Sequence, residues 1–314
     1  MKKIFLLLLL LGINTFSLSS SESKKYSYVD KNTTIDELLN NEAFRGFEKF
    51  LLPLNRYSDK NLKLNNISSL LPYHNNIDTG TTVNSLNYLV DERNNGRKIF
   101  YDFYTKEDSK RKDTGLFFFR GNPGSPFAVI CPGGGFSYVG SIHEGFPYAV
   151  ELSRKGYNAF VIQYRTGNGY DAIEDLAAAL SFIFDNAENL QVSKSGYSLW
   201  GSSAGARMAA AIGSYGTAAF GGKTLPKPAA VIMAYTGQSS FTENDPPTFA
   251  VVGSRDGIAN PNIVEKRIDN LKKAGIDTEF HRYNNVGHGF GTGRGTAAEG
   301  WINKAVLFWE KHIF

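Results

Sequence analysis

Tyr197-Ser198-Leu199-Trp200-Gly201-Ser202-Ser203-Ala204-Gly205-Ala206-Arg207-Met208 is the stretch on which the fold turns. Residues 197–200 are apolar and read as a short strand, while the Ala-rich residues 203–212 read as a helix. Between them, Gly201-Ser202-Ser203-Ala204-Gly205 fits the pattern Gly-x-Ser-x-Gly, with Ser203 at its centre. A serine on a sharp strand-to-helix turn stands exposed at the end of a sheet, in a backbone conformation that crowds its neighbours. Gly201 and Gly205 relieve that crowding. The pentapeptide alone arises by chance in a chain with 32 glycines, and the strand before it and helix after it are what give it meaning.

Working outward, the chain from about residue 98 alternates strand and helix signals. Strands are expected at 99–103, 115–119, 127–131, 159–162, 229–234, 248–252 and 277–283. Helices are expected at 147–155, at 203–212, at 263–273 and at 297–311. Ile173, Leu176, Ala177, Leu180, Ile183, Phe184 and Ala187 form an amphipathic helical stripe. The continuous apolar run at 127–131 suits a strand buried on both faces. Strands separated by helices require crossovers, so the expected class is α/β, with a mainly parallel sheet covered by helices on both faces.

A serine hydroxyl needs a base, and the five histidines are His74, His143, His281, His288 and His312. His288 follows the last expected strand within Val286-Gly287-His288-Gly289-Phe290, which puts it at the carboxyl edge of the sheet, beside Ser203. His281 falls inside a strand, His312 in the terminal helix and His74 in the N-terminal segment. Asp256, in Gly253-Ser254-Arg255-Asp256-Gly257, lies just beyond another strand and is the expected orienting acid. Asp245 competes, but it precedes its strand and so falls at the opposite edge. Cys131-Pro132-Gly133-Gly134-Gly135-Phe136 follows a buried strand upstream of Ser203. Its glycines let backbone N–H groups approach a developing oxyanion, so Gly134, Gly135 and Ala204 are the expected donors.

With these parts in place, the chain resembles the α/β-hydrolase fold serine esterases, near the acetyl esterase and acetylxylan-esterase-like group, whose oxyanion loop reads Pro-Gly-Gly-Gly-aromatic. The resemblance covers about residues 117–314 and is carried by Pro132 to Phe136, Gly201 to Gly205, Asp256 and His288. Pro132 stands where the commoner lipase motif has His, which argues against a lipase. The resemblance implies a Ser203–His288–Asp256 triad, a preference for short acyl groups such as acetyl, and Phe136, His143 and Glu144 near the acyl pocket. It implies no cofactor and no metal. A serine peptidase of the same fold and a non-catalytic glycan- or envelope-binding protein are the alternatives.

Residues 1–21 read as an export signal: Lys2 and Lys3, an apolar run from Ile4 to Leu11 too short to span a bilayer, then Ser/Thr-rich residues. The mature protein is expected to be exported, secreted or periplasmic, without stable membrane insertion. Residues 22–95 form an N-terminal extension, mostly helical or irregular, expected to pack on the core and shape the pocket entrance; residues 96–314 form the catalytic domain. Within the extension, Thr34 and Glu37 make a capping-box pattern ahead of one or two helices ending before Pro53, and residues 53–80 look irregular.

Composition excludes other classes. The chain is 314 residues long, 42% hydrophobic and 13% aromatic, too apolar for a disordered chain. Cys131 is its single cysteine, which excludes a disulfide framework. The net charge of +4, or +2 without Lys2 and Lys3, gives no reason to expect nucleic acid; the expected partner is a small-molecule or glycan ester. Gly221-Gly222-Lys223-Thr224 lacks the earlier glycine of a phosphate loop. Gly289, Gly291, Gly293 and Gly295 are expected in a lid or pocket loop. Oligomeric state is left open.

Overall fold

A computed structural model describes residues 25–53 and 59–313; the expected export signal and its cleavage position lie outside them. Eight strands form one sheet: β1 (Phe100–Tyr101), β2 (Gly115–Phe119), β3 (Phe127–Cys131), β4 (Asn158–Gln163), β5 (Ser198–Ser202), β6 (Ala230–Ala234), β7 (Thr248–Gly253) and β8 (Thr278–Tyr283). Their spatial order is β1-β2-β4-β3-β5-β6-β7-β8. β1–β2 and β2–β4 pair antiparallel, and every other neighbouring pair is parallel. The expected α/β class is therefore the observed one.

Every residue of the strands β2 to β7 is buried, because crossover helices cover both faces of the sheet. The helices are α1 (Ile35–Leu39), α2 (Thr79–Asn94), α3 (Phe146–Arg154), α4 (Gly169–Asp185), α5 (Ala187–Leu190), α6 (Ala204–Tyr215), α7 (Pro261–Lys273) and α8 (Trp301–Glu310). α3 packs on β4 and α8, α4 packs on α6, and α7 lies against β7 and β8. β8 is the partly exposed edge.

Several boundaries differ from expectation, each for a local reason. β5 continues two residues further, to Ser202, because Gly201 and Ser202 still pair with Met233 and Ala234 of β6. α8 begins at Trp301 rather than 297. Before it, Thr296 N–H donates to Gly293 O and Gly300 takes a left-handed conformation, so residues 293–300 are spent in turns. His312 accordingly lies beyond the helix end. β1 is reduced to two residues at the sheet edge; Asp102, just past it, pairs with Arg111 at 2.5 Å.

The capping box forms as its pattern predicts: Glu37 N–H donates to Thr34 Oγ1 (3.2 Å) and Thr34 N–H to Glu37 Oε2 (2.7 Å). α2 is the element sequence reading did not find. Its buried face mixes Thr82, Ser85 and Glu92 with Leu86, Leu89 and Val90, so no apolar stripe marks it. The Asp78 side chain caps it by accepting from Thr81 N–H (2.6 Å), and contact with α3 holds it. Leu38, Phe44, Phe47, Leu86 and Leu89 join the same apolar core as the sheet, and Phe47 stacks on Phe100 with ring centroids 4.9 Å apart.

Candidate active site

Four loops leave the carboxyl ends of parallel strands at one edge of the sheet, where open α/β sheets leave a crevice. The turn after β5 holds Ser203, the loop after β7 holds Asp256, the loop after β8 holds His288, and the loop after β3 holds the glycine run. The three side chains meet although they are spread over 86 positions.

Ser203 has φ 50° and ψ −113°, a conformation L-residues avoid and one that persists only where the surroundings over-determine it. Its N–H is held by Ala234 O at 2.9 Å. The flanking glycines have no substitute: a Cβ on Gly201 would fall 2.4 Å from Gly205 O, and one on Gly205 would fall 1.9 Å from Cys131 O.

Ser203 Oγ lies 2.9 Å from His288 Nε2. His288 Nδ1 lies 2.8 Å from Asp256 Oδ2 and 3.0 Å from Oδ1. A carboxylate can only accept, so Nδ1 carries the proton and Nε2 is left with its lone pair toward the serine hydroxyl. Asp256 is itself anchored, because Oδ1 also accepts from the N–H groups of Ile258 (2.9 Å) and Ala259 (2.6 Å). Both His288 and Asp256 are buried. The arrangement suits proton transfer from the hydroxyl to the imidazole, with the carboxylate fixing tautomer and orientation. Asp245, the competing carboxylate, is buried against Arg267 at 2.6 Å, in keeping with its position at the other edge.

A cavity of about 150 Å³ opens over Ser203 and His288, bounded by Gly135, Phe136, Ala204, Arg207, Tyr235, Thr236, Gly237, Ile258 and Ala259. Ala204 is the first residue of α6, so its N–H has no acceptor within the helix. Among the described residues, no backbone acceptor takes the N–H groups of Gly134 or Gly135 either. These are the amides expected to meet an oxyanion.

His143 and Glu144 do not lie where the resemblance puts them. Neither borders the cavity; both are buried behind the glycine loop, in a π-helical turn, Ser141–Gly145, that leads into α3. Glu144 Oε2 accepts from Gly133 N–H at 2.7 Å, and Oε1 accepts from Tyr235 OH at 2.8 Å. His74 Nε2 stands 3.2 Å from the same Oε1, and His74 Nδ1 is 2.8 Å from Tyr138 OH. Burial raises the Glu144 pKa, but His74, by charge and hydrogen bond, with His143 and Tyr235, outweighs it and holds the carboxyl down at about 2. His143 Nε2 donates to Gly289 O at 3.0 Å; burial, with the charge of His74, lowers its pKa to about 4 and keeps the ring neutral. Phe136, by contrast, does border the cavity.

Sequence reading missed the contribution of residues 73–75. They lie in a stretch without periodicity or motif, and only tertiary packing brings them to the site. Asn75 Nδ2 donates to His288 O at 2.8 Å, and Asn75 N–H donates to Gly289 O at 2.9 Å. The described part of the N-terminal extension thus backs the site, and every residue bordering the cavity comes from position 135 onward. The glycines after His288 form no lid: Gly289 and Gly291 are buried, and a Cβ on Gly291 would fall 2.4 Å from the His143 ring. They let the loop pass close behind the site. Tyr235, also unforeseen, packs its ring edge-on to His288 at 5.2 Å between centroids. No cluster that could hold a metal occurs among the described residues.

Known proteins resemble parts of this chain. Residues 120–227, which carry the glycine loop and the Ser203 turn, match the BD-FAE family model. An acetylxylan esterase of Xylanibacter ruminicola is 22% identical over 203 residues, 55% of this chain but only 42% of that protein, so the chain spans under half the length of this relative. An acetyl ester-xyloside bifunctional hydrolase from Caldicellulosiruptor lactoaceticus aligns at TM-score 0.59 and 16% identity, over 68% of this chain and 95% of that one. A thermophilic esterase from Thermogutta terrifontis, solved with propionate bound, aligns at TM-score 0.58 and 17% identity, over 68% and 93%. The strand order, the turn at Ser203 and these structural likenesses together establish that the chain has the α/β-hydrolase fold.

Proposed function

We propose that this protein is a serine esterase that hydrolyses carboxylic esters with short acyl groups, acetyl above all, through an acyl-enzyme. The observation that carries the reading is the unbroken line Ser203 Oγ–His288 Nε2 (2.9 Å) and His288 Nδ1–Asp256 Oδ2 (2.8 Å), opening into a small cavity. His288 takes the Ser203 proton as Oγ attacks the ester carbonyl carbon. The tetrahedral oxyanion is met by the N–H groups of Gly134, Gly135 and Ala204, a contribution of roughly 10²–10³ in turnover per donor. On collapse, the alcohol leaves with the proton from His288. A water, deprotonated by His288, then releases the acid and restores Ser203.

A cavity of about 150 Å³ supports a short acyl group, being well below the ~300–1,000 Å³ typical of pockets that enclose larger ligands. The acetylxylan esterase relative and the acetyl ester-xyloside hydrolase neighbour support the same substrate class. The basic and apolar opening of the chain supports export, and an exported esterase would meet acetylated glycans. Purified protein should release 4-nitrophenol from 4-nitrophenyl acetate faster than from the octanoate and should be labelled by a fluorophosphonate, whereas Ser203→Ala should do neither. Equal rates in the two proteins would remove the serine mechanism.

A further inference from the structure

We propose that the rim of the cavity recognises a carboxylate on the alcohol half of the ester, held by Arg207 with Thr236 beside it; this rests on the esterase reading and names its substrate class as acetylated acidic sugars. Arg207 stands four residues after Ser203 on α6, one turn along, and its side chain borders the cavity. Arg111 is held by Asp102, Arg120 by Glu92, Arg165 by Asp175 and Arg267 by Asp245, and of the arginines without a carboxylate only Arg207 borders this cavity among the described residues. Arg207 has no carboxylate partner among the described residues, and none of the described residues bordering the cavity is acidic.

Thr236 supplies an independent sign. It borders the same cavity, is 2% exposed, and its Oγ1 is buried without a hydrogen-bond partner among the described residues. A buried hydroxyl is rarely left unpaired, so Thr236 brings to the wall of the cavity a polar group for which the described residues supply no partner. Phe136, Ile258 and Ala259, which also border the cavity, are apolar and bring no competing charge. The amino end of α6 adds positive potential at the same place.

Geometry assigns the carboxylate to the alcohol half. The carbonyl carbon must sit at Ser203 Oγ and the short acyl chain inside the cavity, while Arg207, which borders it, is exposed to solvent. A guanidinium matches a carboxylate in a two-pronged geometry, and charge-assisted hydrogen bonds of this kind correspond to about 10- to 100-fold in affinity.

The test compares kcat/KM for a mono-O-acetyl methyl glucuronide with the matching acetyl glucoside, which differ by carboxylate against hydroxymethyl. The wild type should favour the glucuronide about 10-fold or more at ~20 mM salt, less at ~500 mM as screening sets in. Arg207→Gln should lower that ratio by about 10-fold, and Thr236→Val by about 2- to 10-fold. Matching thermal midpoints exclude a folding cause. A ratio near one in the wild type, or one unmoved by Arg207→Gln, overturns the proposal. A succinate half-ester favoured over acetate in an Arg207-dependent way also overturns it, by putting the carboxylate on the acyl half. Cleavage of 4-nitrophenyl acetate but of neither sugar ester sinks this proposal alone, whereas cleavage of no ester at all sinks the esterase reading beneath it.

Discussion

The front and the back of the site are built differently. At the front, Ser203, Asp256 and His288 sit on loops leaving β5, β7 and β8, and each is a short-range consequence of a strand ending where it does. At the back, His74, Tyr138, Glu144 and Tyr235 come from three separate segments, Tyr138 and Glu144 sharing the β3–α3 connection, and form a buried polar cluster behind the glycine loop. The front holds the proposed catalytic side chains and is expected to bear little on stability. Apart from Tyr235, which also borders the cavity, the back lies behind it and holds the glycine loop, through Gly133, while Asn75 next to His74 holds the His288 loop. Separate tasks on adjacent layers mean that activity and stability should come apart under mutation.

The sharpest contrast is expected at Ser203. Ser203→Ala should lower kcat by about 10⁴-fold or more, while calorimetry should find the stability little changed, since the turn loses only a half-buried hydroxyl and its one contact with His288. A large fall in thermal midpoint would mean the front is structural too. Next, Glu144→Ala should destabilise by roughly 3–5 kcal/mol, because Gly133 N–H, Tyr235 OH and His74 would be left buried without their shared acceptor. Its residual activity should fall as the glycine loop loosens. Denaturant melts and 4-nitrophenyl acetate turnover on the same sample test this, and a variant with wild-type stability would break the comparison.

Acid should reveal the back through stability. The Glu144 carboxyl, held at about 2 against an ordinary 4.5, contributes stability that is present above pH 4.5 and lost as pH falls toward 2. His143 is held neutral, at about 4 against an ordinary 6.5. Between pH 6.5 and 4 the unfolded chain binds a proton there that the folded chain does not, so stability declines through that window as well. The thermal midpoint should therefore drop steadily on acidification from pH 6.5, and His143→Gln should flatten the part above pH 4. A midpoint constant from pH 6.5 to 4 would contradict the burial argument.

Smaller effects sharpen the boundary. Asn75→Ala removes the donor to His288 O and should cost about 1 kcal/mol with a several-fold loss of kcat. Thr34→Ala, in the α1 capping box far from the catalytic loops in sequence, should cost about 1 kcal/mol and leave kcat alone. If Asn75→Ala behaved like Thr34→Ala, the N-terminal segment would be a passive cover rather than part of the site's support.

What could be read from the sequence follows the same division. The Ser203 turn reads as a local pattern because Gly201 answers to crowding by Gly205 and Ala206, whereas Gly205 answers to Cys131 in the neighbouring strand, which only the folded sheet brings near. His288 and Asp256 were found by the positions of strand ends, which apolar runs at 248–252 and 277–283 reveal. α2 escaped because Thr82, Ser85 and Glu92 interrupt its buried stripe. Glu144 was noticed but misplaced toward the substrate: a carboxylate near a glycine loop looks alike in sequence whether it faces the pocket or supports the loop from behind.

The sequence by itself determined an α/β sheet, the edge at which its loops gather, and the order Ser203, Asp256, His288 along the chain. Those follow from periodicity and turn chemistry, which act over a few neighbouring residues. Only the tertiary structure decided that His74 would meet Glu144, 70 positions away, and that Asn75 would brace His288. Such partners are chosen by which buried polar groups would otherwise go unpaired, and that requirement exists only once the chain has closed around them.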